Sequence, residues 1–204
     1  MRDTVYVLVF DGFADWQAAL ALCEVRRPGE WQVCTLGFSR APVVSMGGLT
    51  VQPDATLAEL AMDRAVMLVV PGGHLWLRGE GAAAVERLRE AHAAGATVAG
   101  IDSGVVPLAR AGLLDGVRHT GNWAGQLSAV PDYAGEDQYD AEVLAANDAG
   151  VITASHLGSV EFAREVIRTL DLYSPTDRED WFRLFKHARL PAWCAGASPV
   201  EVAA

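Results

Sequence analysis

Residues 97–116 read TVAGIDSGVVPLARAGLLDG, and this stretch decides the fold class. An apolar, β-branched run ends at Ile101, and apolar residues then recur with helical spacing. Gly100 and Gly104 stand two positions before and two positions after Asp102. This spacing is typical of a nucleophile elbow, a sharp strand-to-helix turn that lifts its central side chain out of the sheet. The stretch therefore predicts a buried strand, Asp102 at the apex of a turn, and a helix.

The same alternation of apolar strands and helices runs along most of the chain. Strands are predicted at 5–10, 31–38, 64–70 and 97–101, hairpins at 43–51 and 139–154, and helices at 16–27, 81–94, 104–114, 159–170 and 181–188. In the first helix Trp16, Ala19, Leu20 and Cys23 recur at helical spacing, and Ser159 is the predicted cap of the helix that it begins. The pattern favours an α/β fold with a mostly parallel sheet covered by helices on both sides. Ligands of such sheets gather at the carboxyl ends of the strands.

Composition limits the classes of partner. The 204 residues are 51% hydrophobic, enough for one sizeable core, and we assign residues 1–190 to a single domain and 191–204 to a flexible tail. The net charge of −10, with only 16 lysines and arginines, argues against nucleic acid and anionic membranes as partners. The chain shows no apolar run of about 18 residues and no signal-peptide pattern, so a cytoplasmic protein is expected.

The cysteines give no sign of a metal or redox site. Cys23, Cys34 and Cys194 are widely spaced and form no CxxC pair. We expect them to be packing residues, and we expect no cofactor.

The elbow and its neighbouring motifs resemble the ThiJ/PfpI superfamily, the class I glutamine amidotransferase-like proteins. The family's elbow reads Ala-Ile-Cys-X-Gly and leads into a helix ending Leu-Ala-X-Ala-Gly-Leu-Leu-X-Gly, which residues 100–116 match except at the centre. Residues 5–17, 69–73 and 151–164 extend the match in order. The resemblance implies a flavodoxin-like three-layer sandwich, usually assembled as a homodimer or larger.

Three positions depart from the family's pattern where its chemistry resides. The resemblance implies a cysteine nucleophile at the elbow, where this chain has Asp102. It implies an acid in the first strand-to-helix turn, where this chain has Gln17, and in many members a histidine after the elbow helix, where this chain has Asn122. Cysteine-dependent activity is therefore not expected.

Gln17 and Asp102 are chemically suited to each other. A carboxylate at position 102 would repel a nearby glutamate, whereas a glutamine can donate an amide N–H to it. We predict that the two residues form a hydrogen-bonded pair; the alternative is two independent losses. Asp102 itself fits three roles, as a nucleophile, as a general base for bound water, or as the N-cap of the following helix.

Further candidates flank the same strand ends. The N–H groups of Gly72 and Gly73 are expected to form an oxyanion cradle, although a tight turn would also explain these glycines. His74 is the candidate general base and joins Asp102 and Gln17 in the predicted catalytic set.

The predicted ligand-binding set combines the two glycines with polar and aromatic residues. It adds Ser103, Asn122, Trp76 and Trp123. Ser103 is not proposed as a nucleophile because it stands one residue from the apex of the elbow. Trp16, Trp76 and Trp123 border three of the loops, where they either wall a pocket for a small planar ligand or pack in the core or an interface.

A metal site is the weaker use of the histidines. His74, His119 and His156 all fall near the expected pocket and could join Asp102 as ligands. Their spacing matches no short metal-binding motif, so no metal is predicted.

The functional expectation is a divergent family member that binds a small molecule or partner in the ancestral pocket. The alternative is an enzyme, which would be a small-molecule hydrolase, an amidotransferase-like enzyme, or a hydratase or lyase. It would act on carbonyl, amide or nitrile-like substrates through Asp102 and the Gly72-Gly73 cradle. A homodimer is the expected assembly, because the apolar chain needs its surface covered.

Overall fold

The computed structural model describes residues 3–191. Its strands are β1 Thr4–Leu8, β2 Gln32–Gly37, β3 Val43–Val44, β4 Thr50–Val51, β5 Ala55–Thr56, β6 Ala65–Val70, β7 Thr97–Ile101, β8 Ala145–Asp148 and β9 Val151–Ala154. Its α-helices are α1 Asp15–Arg26, α2 His74–Leu77, α3 Ala82–Ala93, α4 Val105–Arg110, α5 Ala124–Ser128, α6 Ser159–Thr169 and α7 Pro175–His187. Cys194 and residues 192–204 of the predicted tail lie outside the described residues.

A seven-stranded sheet forms the centre of the fold. The strand order is β5-β2-β1-β6-β7-β9-β8, and all neighbours pair in parallel except β8 and β9. The strands β3 and β4 form a separate antiparallel hairpin. This topology confirms the predicted α/β fold with a mostly parallel sheet.

Helices cover both faces of the sheet because successive side chains on the central strands point to opposite sides. On β1, Val5 and Val7 enter a core with α1 and α6, whereas Tyr6 and Leu8 enter a second core with α3 and α4. The strands are buried on both faces, which accounts for their continuous apolar sequences. The result is the expected three-layer sandwich.

The helix α1 buries a different face from its most apolar one. Its buried residues are Gln17, Ala18, Ala21, Glu24 and Val25. Trp16 is 51% exposed, which rules out its packing in the core of this chain, and Cys23 is also exposed, so the expectation that it is a packing residue is wrong. The small alanines allow α1 to approach α6 and the sheet closely. The buried Glu24 carboxylate accepts hydrogen bonds from Arg27 and Tyr173, which replace its lost water.

Three other element boundaries differ from expectation. The elbow helix ends at Arg110 rather than residue 114, because Gly112 takes φ +69° and breaks it. The hairpin predicted at 139–154 is confined to residues 145–154, and Ala149 and Gly150, both with positive φ, form its turn. The cap position of α6 is Gly158 and not Ser159.

The last helix is longer than its apolar pattern indicates. Ser174 caps it by accepting a hydrogen bond from the Asp177 N–H, and Pro175 occupies the first turn, where its missing N–H costs nothing. Within residues 3–191, none of the helices is long and apolar enough to span a bilayer.

Candidate functional site

Four parallel strands bring the candidate residues to one edge of the sheet. The strands β1, β6, β7 and β9 are consecutive neighbours, so their carboxyl ends lie side by side. Gln17 follows β1, Gly72 follows β6, Asp102 follows β7 and His156 follows β9. Asn122 reaches the same edge from the chain segment before α5. This edge is where open α/β sheets bind their ligands.

The elbow at Asp102 has the strained geometry that its glycines predict. Asp102 has φ +59°, in the left-handed region that few residues other than glycine adopt. A Cβ on Gly100 would lie 2.7 Å from the Gly104 carbonyl oxygen, and a Cβ on Gly104 would lie 2.1 Å from the Val70 carbonyl oxygen. Both glycines are therefore required for the backbone to turn so tightly against β6.

Both carboxylate oxygens of Asp102 accept hydrogen bonds from neutral amides. Gln17 Nε2 donates to Oδ2 at 2.8 Å, and Asn122 Nδ2 donates to Oδ1. The side-chain oxygen of Gln17 accepts the Gly72 N–H at 2.7 Å, and that of Asn122 accepts from His156. The structure thus contains the predicted contact between Gln17 and Asp102. We call Gln17, Asp102, Asn122 and His156 the carboxylate cluster.

The N-cap role of Asp102 is wrong. Residues 102–104 form a single 3₁₀ turn for which Ile101 occupies the cap position, and no side chain caps it. The carboxylate points to Gln17 and Asn122 because the left-handed backbone turns it away from the following helix.

The Gly72-Gly73 turn does not present a free oxyanion cradle. The Gly72 N–H donates to Gln17, and the Gly73 N–H donates to Ser103 Oγ at 2.9 Å. The Ser103 hydroxyl in turn donates to the Gly73 carbonyl oxygen at 3.2 Å, so this buried serine is not available to a ligand. A Cβ on Gly72 would lie 2.3 Å from Asp102 Oδ2, which shows why the turn needs glycine.

His119 belongs to a second, closed group that we call the histidine cluster, formed by His119, Tyr133 and the Val117 carbonyl. Since a carbonyl only accepts, His119 Nδ1 donates to Val117 at 2.6 Å, and its Nε2 then accepts from the Tyr133 hydroxyl at 2.6 Å. Burial lowers the pKa of His119 and raises the pKa of Tyr133 to about 12, which favours these protonation states. Both ring nitrogens are occupied, so His119 is not a metal ligand here.

The remaining histidines differ in their positions. His74 is exposed at the start of α2, lines neither of the two cavities described below, and makes no hydrogen bond through its side chain to the described residues. In residues 3–191 no three His, Cys, Asp or Glu side chains are grouped to hold a metal ion. His156 is the neighbour of Asn122, a role that the sequence did not reveal. Its place directly after β9 puts it near the expected pocket as a candidate metal ligand, but no sequence signal indicates its contact with Asn122.

Two surface cavities flank Trp123, which is 59% exposed and lines both. The cavity next to Asn122 has a volume of about 360 Å³, and the other, beside Trp76, about 530 Å³. Trp76 is almost wholly buried, packs edge-on against Phe10 at 5.0 Å, and donates its indole N–H to the Pro71 carbonyl. Trp76 therefore holds the fold at the floor of the larger cavity, and Trp16 lines neither cavity.

The fold agrees with the comparisons with known proteins. The sequence model of the DJ-1/PfpI family matches residues 3–169. The chain belongs to this family. Relatives include the "Uncharacterized protease YoaZ" of Bacillus subtilis, 29% identical over 89% of this chain and 90% of that protein. Another protein of that organism, the "Uncharacterized protease YdeA", is 25% identical over 84% and 85% of the two chains.

Solved structures of the same superfamily have the same fold. The DJ-1 superfamily protein Atu0886 of Agrobacterium tumefaciens is 31% identical, covers 92% of this chain and 100% of its own, and superposes with a TM-score of 0.85. The thiJ/pfpI family protein of Bacillus anthracis is 28% identical, covers 93% and 92%, and gives a TM-score of 0.86.

Proposed function

We propose that this protein binds a small molecule in the 360 Å³ cavity beside the carboxylate cluster and does not carry out nucleophilic chemistry at the elbow. The observation that carries the proposal is the state of Asp102, whose two carboxylate oxygens both accept hydrogen bonds from side-chain amides. A nucleophile or general base needs a lone pair directed at the substrate or water, and Asp102 lines neither of the two cavities. Asp102 instead acts as a fixed acceptor that orients Gln17 and Asn122.

The alternative of an enzyme also lacks a free oxyanion cradle. A hydrolase or lyase of the expected kind would stabilise an oxyanion with the N–H groups of Gly72 and Gly73. Those groups donate to Gln17 and Ser103, so using them would require breaking two buried hydrogen bonds. The internal pairing favours binding over catalysis.

The smaller cavity suits a ligand because it joins the carboxylate cluster. Asn122 and His156 line it, and Trp123 and Tyr139 supply aromatic surface. Its other lining residues are small, aliphatic or hydroxyl-bearing side chains from 120–124, 141–144 and 155–157. A mostly apolar cavity with a few polar groups is the usual form of a small-molecule site.

A fragment screen by ligand-observed NMR, followed by protein-observed NMR and thermal shift, tests this proposal. Neutral planar fragments should bind, shift the Trp123 indole N–H resonance and raise the melting temperature. Two exposed alanines give a matched pair of blocking variants. Ala124→Trp should fill the smaller cavity and abolish binding, whereas Ala129→Trp should fill the larger cavity and leave binding unchanged. The reverse pattern, or binding lost in neither variant, contradicts the proposed site.

We also propose that the protein forms a homodimer through apolar residues near the start of α1. Trp16, Met46 and Leu49 are each more than half exposed. The β3–β4 hairpin that carries two of them is held against the start of α1 by the Met46 N–H, which donates to the Phe13 carbonyl at 2.8 Å. Exposed apolar patches of this kind commonly mark interfaces.

Light scattering tests the assembly. It should give twice the 21.7 kDa chain mass at micromolar concentration, and Met46→Asp combined with Leu49→Asp should reduce it to the chain mass. A wild-type mass near that of a single chain would contradict the dimer.

A further inference from the structure

The direction of hydrogen bonding through the carboxylate cluster determines which nitrogen of His156 carries a hydrogen. A carboxylate only accepts, so Asn122 must present its Nδ2 to Asp102. Its amide oxygen then faces His156 and lies 2.9 Å from both the backbone N and the ring Nδ1 of that residue. Because an amide oxygen also only accepts, Nδ1 must carry a hydrogen. The neutral ring is left with an accepting lone pair on Nε2.

The neighbouring Ser155 has an unmet hydrogen-bonding group in the same cavity. Ser155 lines the 360 Å³ cavity and is 6% exposed, and its buried hydroxyl has no hydrogen-bond partner within residues 3–191. Buried hydroxyl groups are normally paired. An unpaired donor at the wall of a cavity points to an acceptor that a bound molecule would supply.

The charge of the lining selects a neutral ligand. In the described part of the chain, no lysine, arginine, aspartate or glutamate lines the cavity, so these residues offer no counter-charge for a carboxylate or an ammonium group. Trp123 and Tyr139 provide flat surfaces against which a planar group can stack.

We propose that Ser155 and His156 are the polar end of a binding site for a neutral, planar primary carboxamide. This inference rests on the proposed small-molecule function. His156 Nε2 accepts an N–H of the amide, and the Ser155 hydroxyl donates to its carbonyl oxygen. Asn122 is a positioning residue, since it fixes the ring nitrogen that accepts.

Calorimetry on the full chain with two matched probes tests the ligand class. Benzamide carries both the carbonyl and the N–H groups, whereas N,N-dimethylbenzamide keeps the carbonyl and lacks the N–H. Benzamide should bind about tenfold more tightly, as expected for one hydrogen bond to a desolvated partner.

Two variants separate the two hydrogen bonds. His156→Ala should remove the preference by weakening benzamide about tenfold and leaving the dimethyl compound within about twofold. Ser155→Ala should weaken both compounds, because both present a carbonyl. His187→Ala, which removes an exposed histidine on α7, is the control and should change neither affinity.

Nitrogen-15 NMR of the imidazole tests the positioning role of Asn122 independently of any ligand. In the wild type His156 should be the Nδ1–H form, and in Asn122→Ala it should revert to the Nε2–H form usual for a free histidine. An Nε2–H form in the wild type overturns the inference even if the variant does not fold.

The outcomes distinguish this inference from the function on which it rests. Equal binding of the two amides, or binding of other neutral planar fragments but neither amide, overturns the carboxamide site and leaves small-molecule binding intact. If no fragment binds in the 360 Å³ cavity, both proposals fail.

Discussion

The histidines of the two polar clusters differ in burial and in how many ring nitrogens are hydrogen-bonded. In the histidine cluster, His119 is fully buried and both ring nitrogens are bonded inside the protein. In the carboxylate cluster, His156 is exposed, and of its two ring nitrogens only Nδ1 is bonded to a described residue, Asn122. The comparison teaches that a closed polar cluster supports the fold, whereas an open one leaves an oriented atom for a ligand.

The two clusters are also physically connected. Tyr139 packs edge-on against the His119 ring at 5.8 Å, and the same tyrosine lines the 360 Å³ cavity next to His156. Its hydroxyl donates to the Gly121 carbonyl at 3.3 Å. The histidine cluster therefore supports one wall of the cavity that the carboxylate cluster borders.

The largest effect on stability should come from His119→Ala, with His156→Ala as its comparison. His119→Ala leaves a cavity and an unpaired Tyr133 hydroxyl, and should lower the free energy of unfolding by about 3 kcal/mol. His156→Ala should change it by less than about 0.5 kcal/mol, as expected at an exposed position. Urea unfolding measures both. Equal losses would remove the distinction between the clusters.

Gln17→Glu should disrupt the carboxylate cluster at its buried member. Two acids would then share the site, and the free energy of unfolding should fall by roughly 1 to 3 kcal/mol near neutral pH. The introduced carboxyl has a raised pKa in the folded state, so the penalty is complete above that pKa and shrinks as the pH falls through it. Denaturant midpoints at several pH values give the measurement.

A second substitution distinguishes loss of the hydrogen bond between Gln17 and Asp102 from nonspecific destabilisation of the fold. With Asp102→Asn added to Gln17→Glu, the new amide can donate to the new carboxylate and still accept from Asn122. Stability should recover, and the thermodynamic cycle should show coupling. Additive effects within about 0.5 kcal/mol would mean that Gln17 and Asp102 do not interact.

A smaller, pH-dependent effect on the free energy of unfolding should identify the histidine cluster. Burial lowers the pKa of His119 below its ordinary 6.5, so the unfolded chain takes up this proton more readily than the folded one. Stability is then highest above the unfolded-state pKa and declines as the pH falls below it, toward the folded-state pKa. In His119→Gln this decline should be shallower between about pH 7.5 and about pH 5.5. The same slope in both proteins would contradict the assignment.

The smallest effect, close to zero, is expected from thiol modification. Cys23 is exposed on α1, and burial raises the pKa of the half-buried Cys34 thiol, which makes it a poor nucleophile. Neither belongs to the carboxylate cluster. Iodoacetamide should leave fragment binding unchanged, with Cys23→Ser and Cys34→Ser as unlabelled controls. A mapped adduct on either residue that tracks with lost binding would overturn this expectation.

The sequence predicts most where neighbouring residues decide the outcome. The elbow follows from two glycines within two positions of Asp102, because a Cβ on Gly104 would collide with the Val70 carbonyl oxygen and a Cβ on Gly100 with the Gly104 carbonyl oxygen. The contact of Gln17 with Asp102 follows from chemical complementarity once the two are placed after β1 and β7, the strands on either side of β6. His156 could not be joined to Asn122 in this way, because an amide and a histidine are not a distinctive complementary pair and the two meet only when β9 lies beside β7.

The sequence by itself determined the parallel α/β sheet, the elbow and the absence of sulfur at its apex, since strand hydrophobicity and glycine spacing are local properties. Tertiary structure alone decided the inward face of α1, where two stripes compete and the packing of small alanines against α6 selects one. It also decided that the N–H groups of Gly72 and Gly73 donate to Gln17 and Ser103. The partner of a polar group depends on which distant segments the fold places beside it, and periodicity carries no information about that distance.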